Sequence, residues 1–176
     1  MYSWGHNSSG QLGISNISDP SQSNPTQIDS IGHEIVQIAC GGYSSAVVTR
    51  EGFAYCWGII GGMKIFSPKR VAVSNVTKIS CGTYHILALS RDGLFSWGGN
   101  ESGQLGVGNN STHYYPTKIP FFDTKRVIQI ACGGFHSMAL LSDSSLYSWG
   151  DNDFGQLGMP RNGETNWLPT QITSFL

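Results

Sequence analysis

The amino-acid sequence predicts an all-β fold made of repeated four-stranded units. Three observations predict it: Trp-Gly recurs four times, always with an aromatic residue two positions earlier; a Cys-Gly block recurs three times in phase with it; and short apolar runs alternate with turns rich in Gly, Asn and Ser. Several blocks repeated in one fixed order are the signature of a repeat architecture. We therefore expect almost no helix.

Each unit begins with an apolar run that ends in Cys-Gly, followed by a Gly-rich turn and a second apolar run. The first runs are residues 35–40, 76–81 and 127–132, and the second runs are residues 46–48, 86–89 and 138–141. The next turn contains Arg50-Glu51-Gly52 in one unit and Arg91-Asp92-Gly93 in another. Asp-Gly between apolar runs predicts a hairpin, because Gly accepts a positive φ.

The third strand ends at Trp-Gly, and a longer loop with the pattern N-x-x-G-Q-L-G follows it. The fourth strand begins at Pro-Thr-x-Ile, where Pro suits an edge strand because it removes a ladder donor. The second unit lacks the loop pattern and carries residues 58–64 in its place, which predicts a shortened connection.

A four-stranded unit of this length corresponds to one blade of a β-propeller. In strand order the chain contains a half blade over residues 1–34 and three full blades over about residues 35–75, 76–122 and 123–176. A single sheet cannot bury both of its faces, so neighbouring blades must stack. The whole chain, residues 1–176, is thus predicted to be one repeat domain.

The order of these motifs resembles the regulator of chromosome condensation repeat family. The resemblance covers nearly the whole chain and implies a seven-bladed propeller, of which about three and a half blades are present. An open arc leaves apolar faces and strand ends uncovered. Three explanations stay open: a fragment of a longer protein, closure by pairing with a second copy, and a stable open arc.

The residues that repeat in register are interpreted as structural. The tryptophans should pack between blades, the cysteines should fill space where inner strands crowd near the axis, and the glycines should form turns. This set comprises Trp4, Gly5, Cys40, Gly41, Trp57, Gly58, Cys81, Gly82, Trp97, Gly98, Cys132, Gly133, Trp149 and Gly150. The histidines that follow two Cys-Gly blocks, His85 and His136, are expected to satisfy hydrogen bonds of the turn.

Catalytic and cofactor motifs are absent from the sequence. It contains no C-x-x-C pair for a metal, and residues 58–64 depart from the phosphate-loop pattern because Ile65 stands where Ser or Thr is required. We expect no catalytic, cofactor-binding or metal-binding residues and no enzymatic activity.

Three aromatic residues are candidates for protein contact. Phe121 and Phe122 lie in the link between blades, where two adjacent residues of a strand would point to opposite faces. Trp167 is out of register with the other tryptophans. The longest variable loops, residues 7–24, 100–115 and 152–168, are expected on one rim of the propeller.

These features predict a non-catalytic scaffold that binds a protein partner. As the alternative, the resemblance implies a guanine-nucleotide exchange factor or regulatory module for a small GTPase, or a fragment of a larger ubiquitin-ligase-type repeat protein. Charged residues make up 12% of the chain and the net charge is −1, which argues against a nucleic-acid or anionic-membrane surface. The sequence shows no signal peptide and no membrane span, so we expect a cytoplasmic or nuclear protein with reduced thiols.

Overall fold

A computed structural model describes residues 1–15, 19–160 and 165–173. Across these residues the chain forms fourteen β-strands and a single 3-10 turn at Pro120–Phe122. The strands are β1 (Tyr2–His6), β2 (Ser21–Gln27), β3 (Ile35–Cys40), β4 (Ser44–Thr49), β5 (Ala54–Ile60), β6 (Met63–Arg70), β7 (Val76–Cys81), β8 (His85–Ser90), β9 (Gly93–Gly98), β10 (His113–Lys118), β11 (Val127–Cys132), β12 (His136–Leu141), β13 (Leu146–Gly150) and β14 (Asn166–Gln171). The prediction of an all-β chain with almost no helix is confirmed, and no described helix is long and apolar enough to cross a membrane.

The strands form antiparallel sheets in sequence order. Three sheets have four strands each (β3 to β6, β7 to β10 and β11 to β14), and β1 pairs with β2 in a two-stranded sheet. Equivalent pairs recur in the register: Ser45 lies opposite Trp57, and Ser137 lies opposite Trp149. The two strands of the small sheet carry the Trp-Gly and Pro-Thr motifs, so they correspond to the third and fourth strands of a full sheet.

The core lies between neighbouring sheets. One apolar cluster joins the sheet of β3 to β6 to the sheet of β7 to β10, and includes Ala46, Val48, Ile86 and Trp97. A second cluster joins the latter sheet to that of β11 to β14 around Leu87, Ile130 and Trp149. Neighbouring sheets therefore bury the faces that they turn toward each other, which gives the arrangement of a partial β-propeller.

The glycine of each Trp-Gly pair sets which connections lie together. Gly58 has a φ of +94°, and a Cβ added there would overlap the carbonyl oxygen of Tyr43. Only Gly tolerates this approach. In each four-stranded sheet this contact places the start of the connection between the third and fourth strands against the Cys-Gly turn of the same sheet. We call this end of the molecule, with residues 41–43, 82–84, 133–135 and the connections after β1, β5, β9 and β13, the loop rim. The opposite end, with the turns after β4, β8 and β12 and the links between sheets, is the turn rim.

Candidate functional site

In the described part of each of the three long loops of the loop rim, side chains of the loop bond its own backbone. In each loop the Asn side chain accepts a hydrogen bond, at 2.9–3.2 Å, from the backbone N–H of the Leu five positions later. The Gln side chain accepts another, at 2.8–2.9 Å, from the backbone N–H two positions earlier. The residues are Asn7, Asn100 and Asn152, with Gln11, Gln104 and Gln156. The N-x-x-G-Q-L-G pattern therefore specifies a loop conformation rather than a reactive site.

Two of these loops fasten the sheet that carries them to the next sheet. The carbonyl oxygen of Gln104 accepts hydrogen bonds from the Trp149 indole at 2.9 Å and from the Ser137 hydroxyl at 2.8 Å. The carbonyl of Gln11 accepts the equivalent bonds from Trp57 and Ser45, each at 2.8 Å. A buried carbonyl with two donors is fully satisfied, so each loop is held rigidly on its neighbour.

A buried histidine extends the second of these networks. His85 Nε2 lies 2.9 Å from the Ser137 oxygen, and because that hydroxyl donates to Gln104, the imidazole must donate from Nε2. Burial lowers the pKa of His85 to about 3, with a further contribution from His136. The sequence interpretation of His85 as a turn residue is therefore wrong: its ring bonds a serine of the next sheet. Burial lowers the pKa of His136 as well.

The second unit lacks the long loop. The serines that hydrogen-bond such a loop in the other units are replaced here by residues that do not. Gly61 and Gly62, both with positive φ, join β5 to β6 in a two-residue turn, which confirms the predicted shortened connection. Where a loop is present, the residue before Trp is a Ser that donates to the loop's own Leu carbonyl at 2.7–2.8 Å. In the second unit this residue is Cys56, whose sulfur instead accepts a hydrogen bond from the Trp97 indole. On the next sheet, Ile86 replaces the serine found at 45 and 137.

An aromatic residue two positions before the proline of the fourth strand forms a platform for the loop. Gly10 lies against Phe66, and Gly103 lies against Trp167. The backbone also matches, because Ser15 N–H bonds the Phe66 carbonyl and Gly108 N–H bonds the Trp167 carbonyl. Trp167 is therefore in register with Phe66, although it stays out of register with the four tryptophans of the Trp-Gly pairs. The signal that was missed is the aromatic residue two positions before the fourth-strand proline in each of the three full units.

The third such aromatic residue, Tyr114, has no loop above it. It lies on the sheet that follows the two-residue turn, and it is 51% exposed beside Tyr115, which is 77% exposed. Gly61, Gly62 and Met63 complete a cavity of about 420 Å³ next to the two tyrosines. We call this feature the tyrosine notch. Neither tyrosine was among the contact residues predicted from the sequence.

The structure separates the three predicted contact residues. Residues 120–122 form a 3-10 turn rather than a strand, because Pro120 begins a turn that packs on the last sheet. Phe122 is buried against Trp149, whereas Phe121 is half-buried against Tyr147 on the turn rim. The expectation that these two rings point to opposite faces of a strand is therefore wrong. Contact through Phe121 or Trp167 stays a prediction.

Most of the in-register tryptophans and cysteines lie between sheets, but Trp4 and Cys40 are exposed, so the prediction that Cys40 fills space near the axis is wrong for the described residues. Trp57, Trp97 and Trp149 are buried, whereas Trp4 is 60% exposed because no described sheet covers its side of β1 and β2. The prediction that Trp4 packs between blades is wrong for this part of the chain. The sulfur atoms of Cys81 and Cys132 approach carbonyl oxygens of the preceding sheet, those of Ala39 and Ser80. Burial raises the pKa of the Cys132 thiol to about 12. No three His, Cys, Asp or Glu residues of the described ranges are grouped to hold a metal ion.

Comparisons with known proteins agree with this architecture. Two family models described as regulator of chromosome condensation (RCC1) repeat match the chain, one over residues 1–48, 91–140 and 143–176, the other over residues 76–104 and 127–156. Neither match includes residues 49–75, which contain the two-residue turn.

Individual relatives match almost the whole chain. It is 35% identical over 175 residues to the ultraviolet-B receptor UVR8 of Arabidopsis thaliana, covering 92% of this chain and 39% of the receptor. It is 33% identical over 184 residues to the E3 ubiquitin-protein ligase HERC2 of Homo sapiens, covering 94% of this chain and 4% of the ligase. The structure of Prp20p from Saccharomyces cerevisiae superposes with a TM-score of 0.82 at 26% identity, covering 98% of this chain and 47% of that one.

The chain thus spans less than half the length of each of these three relatives. The repeated motifs, the stacked four-stranded sheets and these matches together show that the chain belongs to the regulator of chromosome condensation (RCC1) repeat family.

Proposed function

We propose that this chain is a non-catalytic scaffold that binds a protein partner at the tyrosine notch of the loop rim. The observation that carries the proposal is the uncovered platform at Tyr114. Phe66 and Trp167 each receive a glycine of a loop from the preceding sheet, whereas Tyr114 receives none. The partner supplies the missing element: a glycine-containing turn that stacks on this ring.

The notch has the chemistry of a protein contact. Tyr114 and Tyr115 offer flat apolar area with a hydroxyl at the end, a combination that is enriched at interfaces. Gly62 has open space where a Cβ would stand, so a partner backbone can approach closely. The surrounding loops are held by buried hydrogen bonds, so little conformational entropy is lost when a partner binds.

Site-specific crosslinking tests this proposal. Photoreactive benzoylphenylalanine placed at Tyr115 in the intact protein should give a discrete crosslinked partner in cells, whereas the same residue at Arg50 on the turn rim should not. The partner so identified should bind the Tyr114→Ser variant at least about tenfold more weakly, as expected for a central aromatic contact. Equal crosslinking at both positions, or unchanged affinity of Tyr114→Ser, would exclude the notch.

A second candidate function is regulation of a small GTPase. The similarity to Prp20p favours it, because that protein is described with its binding to Gsp1p and histones. The chain corresponds to less than half of Prp20p, so exchange activity stays a proposal. A nucleotide-release assay with a small GTPase and the intact protein tests it, and an unchanged release rate excludes it.

The match to HERC2 supports a third arrangement, in which these blades serve a larger ubiquitin-ligase-type protein as its binding module. The chain matches only 4% of that ligase, and we propose no catalytic step for it. In this arrangement the tyrosine notch has the same role, which is to select the protein that the rest of the molecule acts on.

A further inference from the structure

A cavity on the turn rim concentrates positive charge in a chain of which charged residues make up only 12%. It has a volume of about 470 Å³ and lies between the sheet of β7 to β10 and the sheet of β11 to β14. Four of the chain's ten Lys and Arg residues line it: Arg91, Lys118, Lys125 and Arg126. We call it the basic cleft. Its volume is in the range of ligand-binding pockets.

The carboxylates of the cleft do not balance these cations. Asp123 pairs with Lys118, with 2.8 Å between Oδ1 and Nζ. Asp92 accepts long hydrogen bonds from Asn75 and Ser90, each at 3.5 Å. Asp143, on the neighbouring turn, interacts electrostatically with Lys125. No ion pair of Arg91 or Arg126 is present among the described residues. Two guanidinium groups are therefore available to an incoming anion.

An apolar wall stands beside the cations. Phe122 lines the cleft and is buried, and the half-buried ring of Phe121 lies next to it, with the centroids 5.1 Å apart. The Lys125 ammonium lies 4.8 Å from the centroid of the Phe121 ring. Lys125 therefore connects the cleft, with its guanidinium groups, to the half-buried Phe121 ring beside it.

We propose that the basic cleft binds an acidic peptide segment of a protein partner, in which carboxylates alternate with aliphatic side chains. Arginine pairs with a carboxylate through two parallel hydrogen bonds, and the aliphatic side chains reach the half-buried Phe121 ring beside the cleft. A nucleic acid fits less well, because Asp92 and Asp123 interrupt the cations and repel a continuous row of phosphates. This surface is on the opposite rim from the tyrosine notch, so the two sites are independent.

Fluorescence anisotropy with a defined probe tests the proposal. The probe is a fluorescein-labelled hexapeptide, Glu-Leu-Glu-Glu-Leu-Glu, and the control peptide carries Gln for every Glu. The protein should bind the first peptide saturably in 50 mM NaCl and the second at least about tenfold more weakly. Affinity should fall in 500 mM NaCl, because the Debye length shortens to a few ångströms.

Matched variants distinguish the cleft from general attraction between charges. Arg91→Gln combined with Arg126→Gln should weaken binding of the acidic peptide at least about tenfold. Lys64→Gln combined with Lys69→Gln removes the same charge from the exposed face of β6 and should leave the affinity within about twofold. All four positions are exposed, so both double variants should unfold at the temperature of the parent protein.

Three results would overturn the proposal: no saturable binding of the acidic peptide, equal weakening by the two double variants, or equally tight binding of a single-stranded oligonucleotide with the same number of charges. The Tyr114→Ser variant should bind the hexapeptide as the parent protein does. Failure of the basic cleft is therefore distinguishable from failure of the tyrosine notch.

Discussion

At the scale of single residues, the most informative group is the buried imidazole of His85. It is neutral in the folded protein because its charged form would be desolvated, and its Nε2–H bonds Ser137. Burial lowers the pKa from 6.5, the ordinary value for histidine, to about 3 in the folded chain. Between these values the unfolded chain binds a proton that the folded chain does not, so stability falls as the pH falls below 6.5.

We expect His85→Gln to reduce this pH dependence. The parent protein should lose about 2 kcal/mol through His85 between pH 7.5 and pH 5, since each pH unit below 6.5 costs about 1.4 kcal/mol. Urea unfolding followed by tryptophan fluorescence at both pH values measures it. The exposed His6→Gln provides the control and should keep the dependence of the parent. A dependence equally steep in His85→Gln and His6→Gln would contradict the buried neutral imidazole.

Two glycines of the loop rim distinguish the strain of a positive φ from the steric overlap of an added Cβ. Gly58 and Gly62 both have positive φ, but a Cβ overlaps the Tyr43 carbonyl at the first position and meets open space at the second. Gly62→Ala should cost about 1 kcal/mol, the strain of the backbone conformation alone. Gly58→Ala should cost at least about 2 kcal/mol more, because the strand must move. Thermal unfolding compares the two, and equal midpoints would exclude the overlap.

At the scale of elements, the loop pattern and the sheet that it contacts change together. Loops with Gln11 or Gln104 bond a serine on the next sheet, whereas the sheet that follows the two-residue turn at Gly61-Gly62 has Ile86 at the equivalent position. A buried hydroxyl needs an acceptor, and without the loop carbonyl an apolar residue is better. The loop on one sheet and the serine on the next sheet thus form a single contact between the two units.

We expect the two serines of this contact to differ in their contribution. Ser137→Ala removes the acceptor of a fully buried His85 and should destabilise the protein by about 2 kcal/mol. Ser45→Ala should cost less than about 1 kcal/mol, because Trp57 still satisfies the Gln11 carbonyl and Ser45 is only half-buried. Chemical unfolding of the two variants checks the difference. Equal losses would mean that the His85 bond contributes nothing.

At the scale of the whole molecule, the small sheet of β1 and β2 is the incomplete part of the arc. It lacks the two inner strands of a full sheet, and a cavity of about 420 Å³ lies beside its inner edge, lined in part by Trp4, Ile38 and Cys40. Two copies of this chain would each supply the same outer half. Two such arcs together therefore contain two copies of the outer two strands and no copy of the inner two strands, so they do not form a complete seventh blade. Closure of the propeller by two copies of this chain would need the inner strands from another source.

A supplied pair of inner strands should complete the blade. A second copy of residues 123–145, with its cysteine replaced by alanine, is fused before Met1, so that its two strands pair beside β1. Cys40 is exposed in the parent. In the fusion the new strand should cover Cys40 in the same way that the strand with Ala39 covers Cys81 on the next sheet. Cys40 should then react at least about tenfold more slowly with a thiol reagent.

The same fusion with proline at one central position of each added strand is the control, because proline removes the ladder hydrogen bond. Cys40 should remain as reactive in this control as in the parent. If the two fusions protect Cys40 equally, the added strands do not pair with β1, and the interpretation of the small sheet as an outer half blade fails.

The repeat, the strand order, the all-β class and the shortened second connection could all be predicted from the sequence, because turns, apolar runs and loops that bond their own backbone depend on neighbours within a few residues. The partner of His85, the exposure of Trp4, the helical turn at Phe121-Phe122 and the vacant platform at Tyr114 were decided only by the tertiary structure. The His85–Ser137 bond, for example, joins residues 52 positions apart on different sheets. Such contacts depend on which sheet is the neighbour and on what that sheet lacks, and no local pattern encodes either.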